Sequence, residues 1–157
     1  MQMVARQYLV WELKRSAELL RTEHGMPYPE IQALVGGEEA IPVSAYNSRL
    51  SGLETIVKYL AERGHSLKGI SDMLNRDYRT IWDACRAGRM KHPGRLRVSG
   101  ESALIPVSVF RKRKLSVMEA AVSYLKVKLG WTLHRIAAAM KRDDSTIWTV
   151  YRRARAK

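Results

Sequence analysis

The sequence predicts an all-α protein in which a helical N-terminal segment precedes two copies of a three-helix unit. Three observations lead to this prediction: a long internal repeat, apolar residues at helical spacing, and cap residues that separate three short helices in each copy. The chain of 157 residues suffices for one domain or for two very small ones. Its apolar fraction of 46% is typical of chains that fold.

The repeat extends over three blocks of sequence. The matching blocks are IPVS at 41–44 and 105–108, LSGLETIVKYL at 50–60 with LSVMEAAVSYL at 115–125, and residues 64–89 with 130–155. Twenty of the 41 aligned positions are identical. Two single-residue insertions, which we place in loops or at helix ends, raise the offset from 64 to 66. The chain therefore contains two copies of one domain.

The N-terminal segment has its own helical signals. Its apolar residues, among them Tyr8 and Trp11, predict an amphipathic packing or dimerisation element. Residues 17–37 share a helix–glycine–helix pattern with 56–76, so a degenerate third repeat and a coincidence of amphipathic helices both stay open. The predicted division is a helical segment at 1–40, a first domain at 41–92, a linker at 93–104, and a second domain with a basic tail at 105–157.

Each full copy predicts three helices in the same order. In the first copy, Ser51 and Glu54 form an S-x-x-E capping box that begins the first helix, and Gly64 ends it. Ser66 then caps a short second helix, and Asp77 caps the third. The second copy repeats these signals with Ser116, Glu119, Gly130, Thr132 and Asp143.

The segments outside the helices also carry signals. Proline after isoleucine favours extended backbone, so each IPVS segment predicts a short strap that lies on its domain with the isoleucine and valine buried. Between the copies, HPGRLRVSGESAL at 92–104 has the proline, glycine and serine content of a linker. Fully extended, it spans at most about 45 Å. Because adjacent major grooves on one face of DNA lie about 34 Å apart, both domains can reach one duplex.

The second and third helices, SLKGISDMLNRDYRTIWDACRAGR in the first copy, resemble the helix-turn-helix of region four of bacterial sigma factors and related regulators. The shared features are an apolar and a small residue in the first of these helices, Leu74 before the turn, and Thr80-Ile81 at the start of the next helix. Asn75 and Lys141 stand where the pattern usually has glycine. The resemblance implies tandem DNA-binding modules and does not extend to polymerase-binding parts.

In such a module the start of the recognition helix meets base edges, while helix N-termini and arginines meet phosphates. The predicted DNA contacts of the first copy are Ser66, Arg76, Tyr78, Arg79, Thr80, Trp82, Asp83, Arg86 and Arg89. Those of the second are Thr132, Arg142, Asp144, Ser145, Thr146, Trp148, Thr149, Arg152, Arg153 and Arg155. Backbone contacts are also expected from the basic arm, Arg111, Lys112, Arg113 and Lys114, and from the tail at 152–157.

The charge supports a polyanionic partner. The net charge is +13, distributed as −2 over residues 1–40, +4 over 41–92 and +11 over 93–157. We therefore expect a double-stranded DNA-binding protein, a transcriptional regulator, located in the cytoplasm and associated with the nucleoid. The alternatives are an architectural or assembly protein that coats or packages DNA, and the DNA-binding part of a transposase or recombinase system. The same charge is also explained by a basic surface that is merely solvated and binds no partner.

Other classes of function lack support in the sequence. There is no catalytic constellation, cofactor motif or metal-ligand spacing, so we expect neither an enzyme nor a cofactor. The single cysteine, Cys85, excludes an intrachain disulfide. No apolar run is long enough for a bilayer span or a signal peptide, and no membrane partner is expected.

Trp82 and Trp148 depart from the related pattern, which usually has a polar residue after Thr-Ile. The favoured interpretation is that each tryptophan caps the domain core or joins the modules. Direct contact with a thymine methyl or a sugar is the second interpretation. Homo-oligomer contacts, through these faces or through the N-terminal segment, are the third.

Overall fold

The computed structural model describes residues 2–99 and 102–157, and the chain is mostly helical, which confirms the all-α class. Contacts divide it into two compact units, one ending at Glu39 and the other comprising Ala40–Lys157. The predicted boundary after residue 40 is one residue away from this division. Both repeats therefore belong to a single unit, although the sequence suggested two domains joined by a linker. Residues 100 and 101 of that linker lie outside the described residues.

The first unit contains two helices, α1 (Gln2–Glu23) and α2 (Tyr28–Gly36). Gly25 between them has a left-handed φ of 62°, as do Gly64 and Gly130 after the corresponding helices of the repeats, with φ of 94° and 68°. The same glycine-centred turn thus occurs three times. Because a left-handed glycine ends many unrelated helices, a degenerate third repeat and a coincidence both stay open.

The described residues of the second unit form six α-helices in two sets of three. In the first repeat these are α3 (Gly52–Glu62), α4 (Leu67–Leu74) and α5 (Tyr78–Lys91). In the second they are α6 (Val117–Ser123), α7 (Leu133–Met140) and α8 (Asp144–Arg155). A short 3₁₀ turn precedes each set, at Val43–Ala45 and at Val107–Arg111.

Most of the predicted caps are present. Ser51 and Ser116 each form a complete capping box with the glutamate three residues later, so α3 and α6 begin where the sequence places them. Ser66 Oγ accepts from the Gly69 N–H at 3.0 Å, and Thr132 Oγ1 accepts from the Arg135 N–H at 3.1 Å. Asp77 and Asp143 occupy the N-cap positions of α5 and α8, as predicted, but their carboxylates accept no capping hydrogen bond.

One of the two insertions produces an unusual turn. Four residues lie between the matched positions Leu125 and Gly130, against three between Leu60 and Gly64. The additional residue is absorbed in a π-helical turn, Tyr124–Lys128, in which the Leu129 N–H donates to Tyr124 O at 3.3 Å. A single-residue insertion into a helix commonly gives such a turn, because the remaining residues keep their faces. The register of the core is therefore preserved.

The two IPVS segments pair with each other. Strand β1 (Ala40–Pro42) and strand β2 (Leu104–Pro106) form an antiparallel ladder in which Ile41 faces Ile105. Both isoleucines are fully buried, as predicted, and they join the one large apolar core that the two repeats share. The sequence placed each strap on its own domain; the ladder between the straps was not predicted, because a three-residue strand leaves almost no periodic signal.

The linker is packed rather than extended. Leu96 is buried with Ala45 and Leu50, and its N–H donates to the Glu62 carboxylate at 3.1 Å. Further along, the Ser99 N–H donates to Ser44 Oγ at 3.0 Å. The described part of the segment therefore lies on the first repeat. The reach of about 45 Å estimated for a free linker does not apply, and contacts between the repeats fix their separation instead.

Candidate nucleic-acid interface

The third helices, α5 and α8, each present one face to solvent and bury the other. Ile81 and Ile147 are fully buried in the shared core. The predicted base-reading and flanking side chains are exposed on the opposite face of the same helices. In α5 they are Tyr78, Arg79, Thr80, Trp82, Asp83, Arg86 and Arg89. In α8 they are Asp144, Ser145, Thr146, Trp148, Thr149, Arg152, Arg153 and Arg155.

The two tryptophans do not cap the core. Trp82 is 43% exposed and Trp148 is 53% exposed, each on the solvent face of its helix. The Arg86 guanidinium lies 5.5 Å from the Trp82 ring centre, and Arg152 lies 5.3 Å from that of Trp148. The favoured interpretation, a core cap or a contact between modules, is therefore replaced by a repeated, exposed tryptophan–arginine pair.

Arg76 and Arg142 point into the protein instead of outward. An Nη atom of Arg76 donates to Leu115 O at 3.5 Å, and another donates to Leu74 O at 3.1 Å. Arg142 correspondingly donates to Leu50 O in the first repeat. Burial also lowers the pKa of Arg76, with a smaller contribution from the nearby Arg113. Both guanidinium groups thus bond to carbonyls of the opposite repeat and join the two repeats. Their contact with phosphates stays a prediction.

The basic arm is anchored at its first residue. Arg111 Nη1 donates to Asp72 O at 2.7 Å and to Met73 O at 3.2 Å, so its guanidinium group occupies the C-terminal end of α4. The Asn75 side chain donates in turn to Arg111 O at 3.4 Å. Lys112, Arg113 and Lys114 remain exposed. Arg111 therefore positions the arm of the second repeat beside the α4–α5 turn of the first.

Two lysines fix the ends of the third helices: Lys91, which the sequence did not single out, and Lys157, the last residue of the predicted basic tail. Lys91 Nζ donates to Glu54 Oε1 at 2.7 Å, and Lys157 Nζ donates to Glu119 Oε2 at 2.9 Å. Burial alone raises the pKa of each glutamate, but the lysine and the serine N–H of the capping box outweigh burial, so both pKa values lie below the ordinary 4.5. Lys157 was expected to be part of a phosphate-binding tail.

The turns before the third helices tolerate their unusual residues. Asn75 and Lys141 both adopt the left-handed conformation, with φ of 51° and 56°. The N–H of the following arginine then donates to a carbonyl of the preceding helix, at 3.1 Å for Arg76 and 3.0 Å for Arg142. Lysine therefore occupies a conformation that usually favours glycine or asparagine. Ser66 and Thr132, predicted to face phosphates, are exposed at the starts of α4 and α7.

Neither a metal-binding cluster nor a membrane-spanning helix is found in the described part of the chain. Within residues 2–99 and 102–157, no three His, Cys, Asp or Glu side chains are grouped so that they could hold a metal ion. In the same residues, no helix has the combined length and apolar character needed to cross a bilayer. Comparisons of the chain with protein-family models, with curated proteins and with solved structures give no match.

Proposed function

We propose that the protein binds double-stranded DNA through α5 and α8, each acting as the recognition helix of a helix-turn-helix module, and that it regulates transcription. The observation that carries this proposal is the repeated exposed face of the two helices. Trp82 with Arg86 recurs as Trp148 with Arg152. An exposed apolar ring beside a cation suits the major groove, where arginine reads guanine and apolar groups meet the thymine methyl.

Because Trp82 and Trp148 are exposed, a role in folding does not explain why this face of α5 and α8 is repeated. A large aromatic side chain at half exposure contributes little to a core, yet the same pair stands at the same position in both copies. The neighbouring exposed positions differ between the copies: Arg79 and Asp83 in α5 correspond to Ser145 and Thr149 in α8. A common anchor with different neighbours is what two modules need when they read different bases.

The charge of the unit provides the second requirement, attraction to the phosphate backbone. Residues 40–157 contain 24 basic and nine acidic side chains, a net charge of +15. Each phosphate that a lysine or arginine neutralises releases counterions, so affinity falls steeply as salt rises. The exposed arm residues and the arginines at the end of α8 supply such contacts.

The test measures duplex binding by fluorescence anisotropy over a series of salt concentrations, after selection of preferred sequences from a random library. We expect an enriched motif, and we expect the double variant R86A/R152A to lower affinity for it by at least about tenfold and to reduce the salt slope by about two. The matched control K126A/K128A removes the same charge from the π-helical turn and should change affinity by less than threefold, that is by less than about 0.7 kcal/mol.

Three results would argue against the proposal. Absence of duplex binding at low salt removes DNA as the partner. Equal losses of duplex affinity in R86A/R152A and in K126A/K128A would show that binding depends only on the overall positive charge. Steep salt dependence of binding without an enriched motif would indicate an architectural protein that coats DNA and not a regulator.

A further inference from the structure

The strand pair is symmetric with respect to the two repeats. Ile41 of β1 faces Ile105 of β2, and the two are equivalent residues of the IPVS segments. On either side of this central pair, Ala40 pairs with Pro106 and Pro42 pairs with Leu104. Because Ala40 matches Leu104 and Pro42 matches Pro106 in the repeat, exchanging the two repeats turns each flanking pair into the other. An antiparallel ladder with this register has a local two-fold axis through its central pair.

Contacts between the helical sets follow the same symmetry. Helix α4 packs on the turn Val107–Arg111 of the second repeat, and the equivalent α7 packs on Val43–Ala45 of the first. The two crossing arginine bonds are equivalent as well, because their acceptors, Leu50 and Leu115, occupy matched positions. Each repeat therefore gives the other the same set of contacts that it receives.

The axis also passes between the first helices of the two sets. Helices α3 and α6 contact each other, and a Cβ atom at Gly52 would lie 2.7 Å from Met118 Cγ. The start of α3 thus meets the start of α6 so closely that a larger residue at position 52 would require the Met118 side chain to shift. Contacts between equivalent elements are those expected beside a two-fold axis.

The recognition helices share this symmetry because each is held in the same way by its own repeat. Helix α5 packs on α3 and α8 packs on α6. Lys91 with Glu54 repeats as Lys157 with Glu119 at the far ends of these helices. One chain consequently presents two recognition helices in the relation found between the subunits of a symmetric dimer.

We infer that the DNA target is an inverted repeat of two unequal half-sites on one duplex. The inference rests on the proposed function. Half-sites in inverted orientation are related by a two-fold axis perpendicular to the duplex, which is the operation that relates α5 to α8. Half-sites in direct orientation are related by a screw along the duplex, which a two-fold pair cannot match. The halves are unequal because the exposed residues beside the Trp–Arg pairs differ.

The experiment uses the full chain and the motif selected from a random duplex library. Affinity is measured for the selected site and for a version in which one half-site is reversed at the same centre-to-centre spacing. Reversal should weaken binding by at least about 100-fold, because the second module then loses its intramolecular contact. Selection with R86A and with R152A should erase opposite halves of the motif, each leaving the other half readable.

The outcomes separate the inference from the function on which it rests. A direct repeat, a single half-site, equal binding of the original and reversed sites, or half-sites bound only on separate duplexes would each overturn the inverted repeat while leaving DNA binding intact. A chain that binds no duplex at low salt would overturn both.

Discussion

At the scale of single residues, the structure separates arginines that hold the fold from arginines that face solvent. Arg76 and Arg142 have the same spacing to their helices as conventional phosphate ligands, but their guanidinium groups bond to backbone carbonyls across the repeats. Arg86 and Arg152 lie ten residues farther along the chain, and each stacks beside the exposed indole one helical turn before it. Sequence position alone does not distinguish these pairs, since the bonding partners are tens of residues away.

Arg142 should therefore matter for stability more than for DNA binding. We expect R142A to lower the free energy of unfolding by about 2 kcal/mol, because hydrogen bonds from a charged donor to Leu50 O and Ser48 O are lost. R152A, a change on the exposed face, should alter it by less than about 0.5 kcal/mol. Urea denaturation measures both. Equal destabilisation by R142A and R152A would contradict the division into arginines that hold the fold and arginines that face solvent.

The exposed tryptophans should show the opposite behaviour. The double variant W82A/W148A should weaken duplex binding by about tenfold, because apolar contact with the groove is lost. Its melting temperature should hardly change, because surface substitutions cost within about 0.5 kcal/mol.

Trp131 provides the matched control for these two, since it packs against the core beside Arg135. W131A should lower stability by about 2 kcal/mol. Thermal unfolding followed by circular dichroism distinguishes the variants, and a large loss of stability in W82A/W148A would assign those indoles to packing.

At the scale of elements, one buried glutamate in each repeat bonds to both the start of the first helix and the end of the third helix. Glu54 and Glu119 complete the capping boxes and receive Lys91 and Lys157. The serine–glutamate spacing is readable from the sequence because its partners are three residues apart. The pairing of the lysines with these glutamates is not readable from the sequence, because each lysine lies at the other end of its repeat.

These glutamates predict a specific acid dependence of stability. Since their folded-state pKa values lie below the ordinary 4.5, their contribution is complete above about pH 4.5 and is lost as pH falls through the lowered values. Urea denaturation between pH 7 and pH 3 should show a shallower acid loss for E54Q/E119Q than for the unmodified chain. Parallel pH profiles would show that the two carboxylates are not stabilised by their partners.

The π-helical turn predicts an unusual tolerance to deletion. Removing Val127, which is exposed, gives the second repeat the same spacing as the first and should restore a regular helical turn. The melting temperature should change by less than about 4 °C, which corresponds to about 1 kcal/mol. Deletion of Ala61 at the matching end of α3, where no additional residue is present, should unfold the protein. Equal damage by both deletions would show that the turn has another cause.

At the scale of the whole molecule, the repeats form one body with an internal two-fold axis. Strand pairing, crossed helix contacts and a shared core join them. Each repeat is only about as large as the smallest independent domains, whose cores are marginal. Exchange of contacts therefore supplies the stability that a single three-helix set lacks.

Separated halves should accordingly fold only together. Fragments 40–99 and 102–157 should each show little helix and no cooperative unfolding by circular dichroism, because Ile41 and Ile105 lose their partners. Mixing the fragments in equal amounts should restore helix content and a cooperative transition. A fragment that unfolds cooperatively alone would show that one repeat is self-sufficient.

The sequence by itself determined the number and order of the repeat helices and the residues at which they begin. Capping boxes, left-handed glycines and helical periodicity depend on residues within about one turn of each other, so the local chain contains the complete signal. Only the tertiary structure decided that the repeats exchange contacts, that Arg76, Arg111 and Arg142 bind carbonyls, and that Trp82 and Trp148 face solvent. Those outcomes depend on contacts between residues that are far apart in the chain, such as Arg111 and Asp72 at a separation of 39 and Arg142 and Leu50 at a separation of 92. Local spacing contains no signal for such distant pairs.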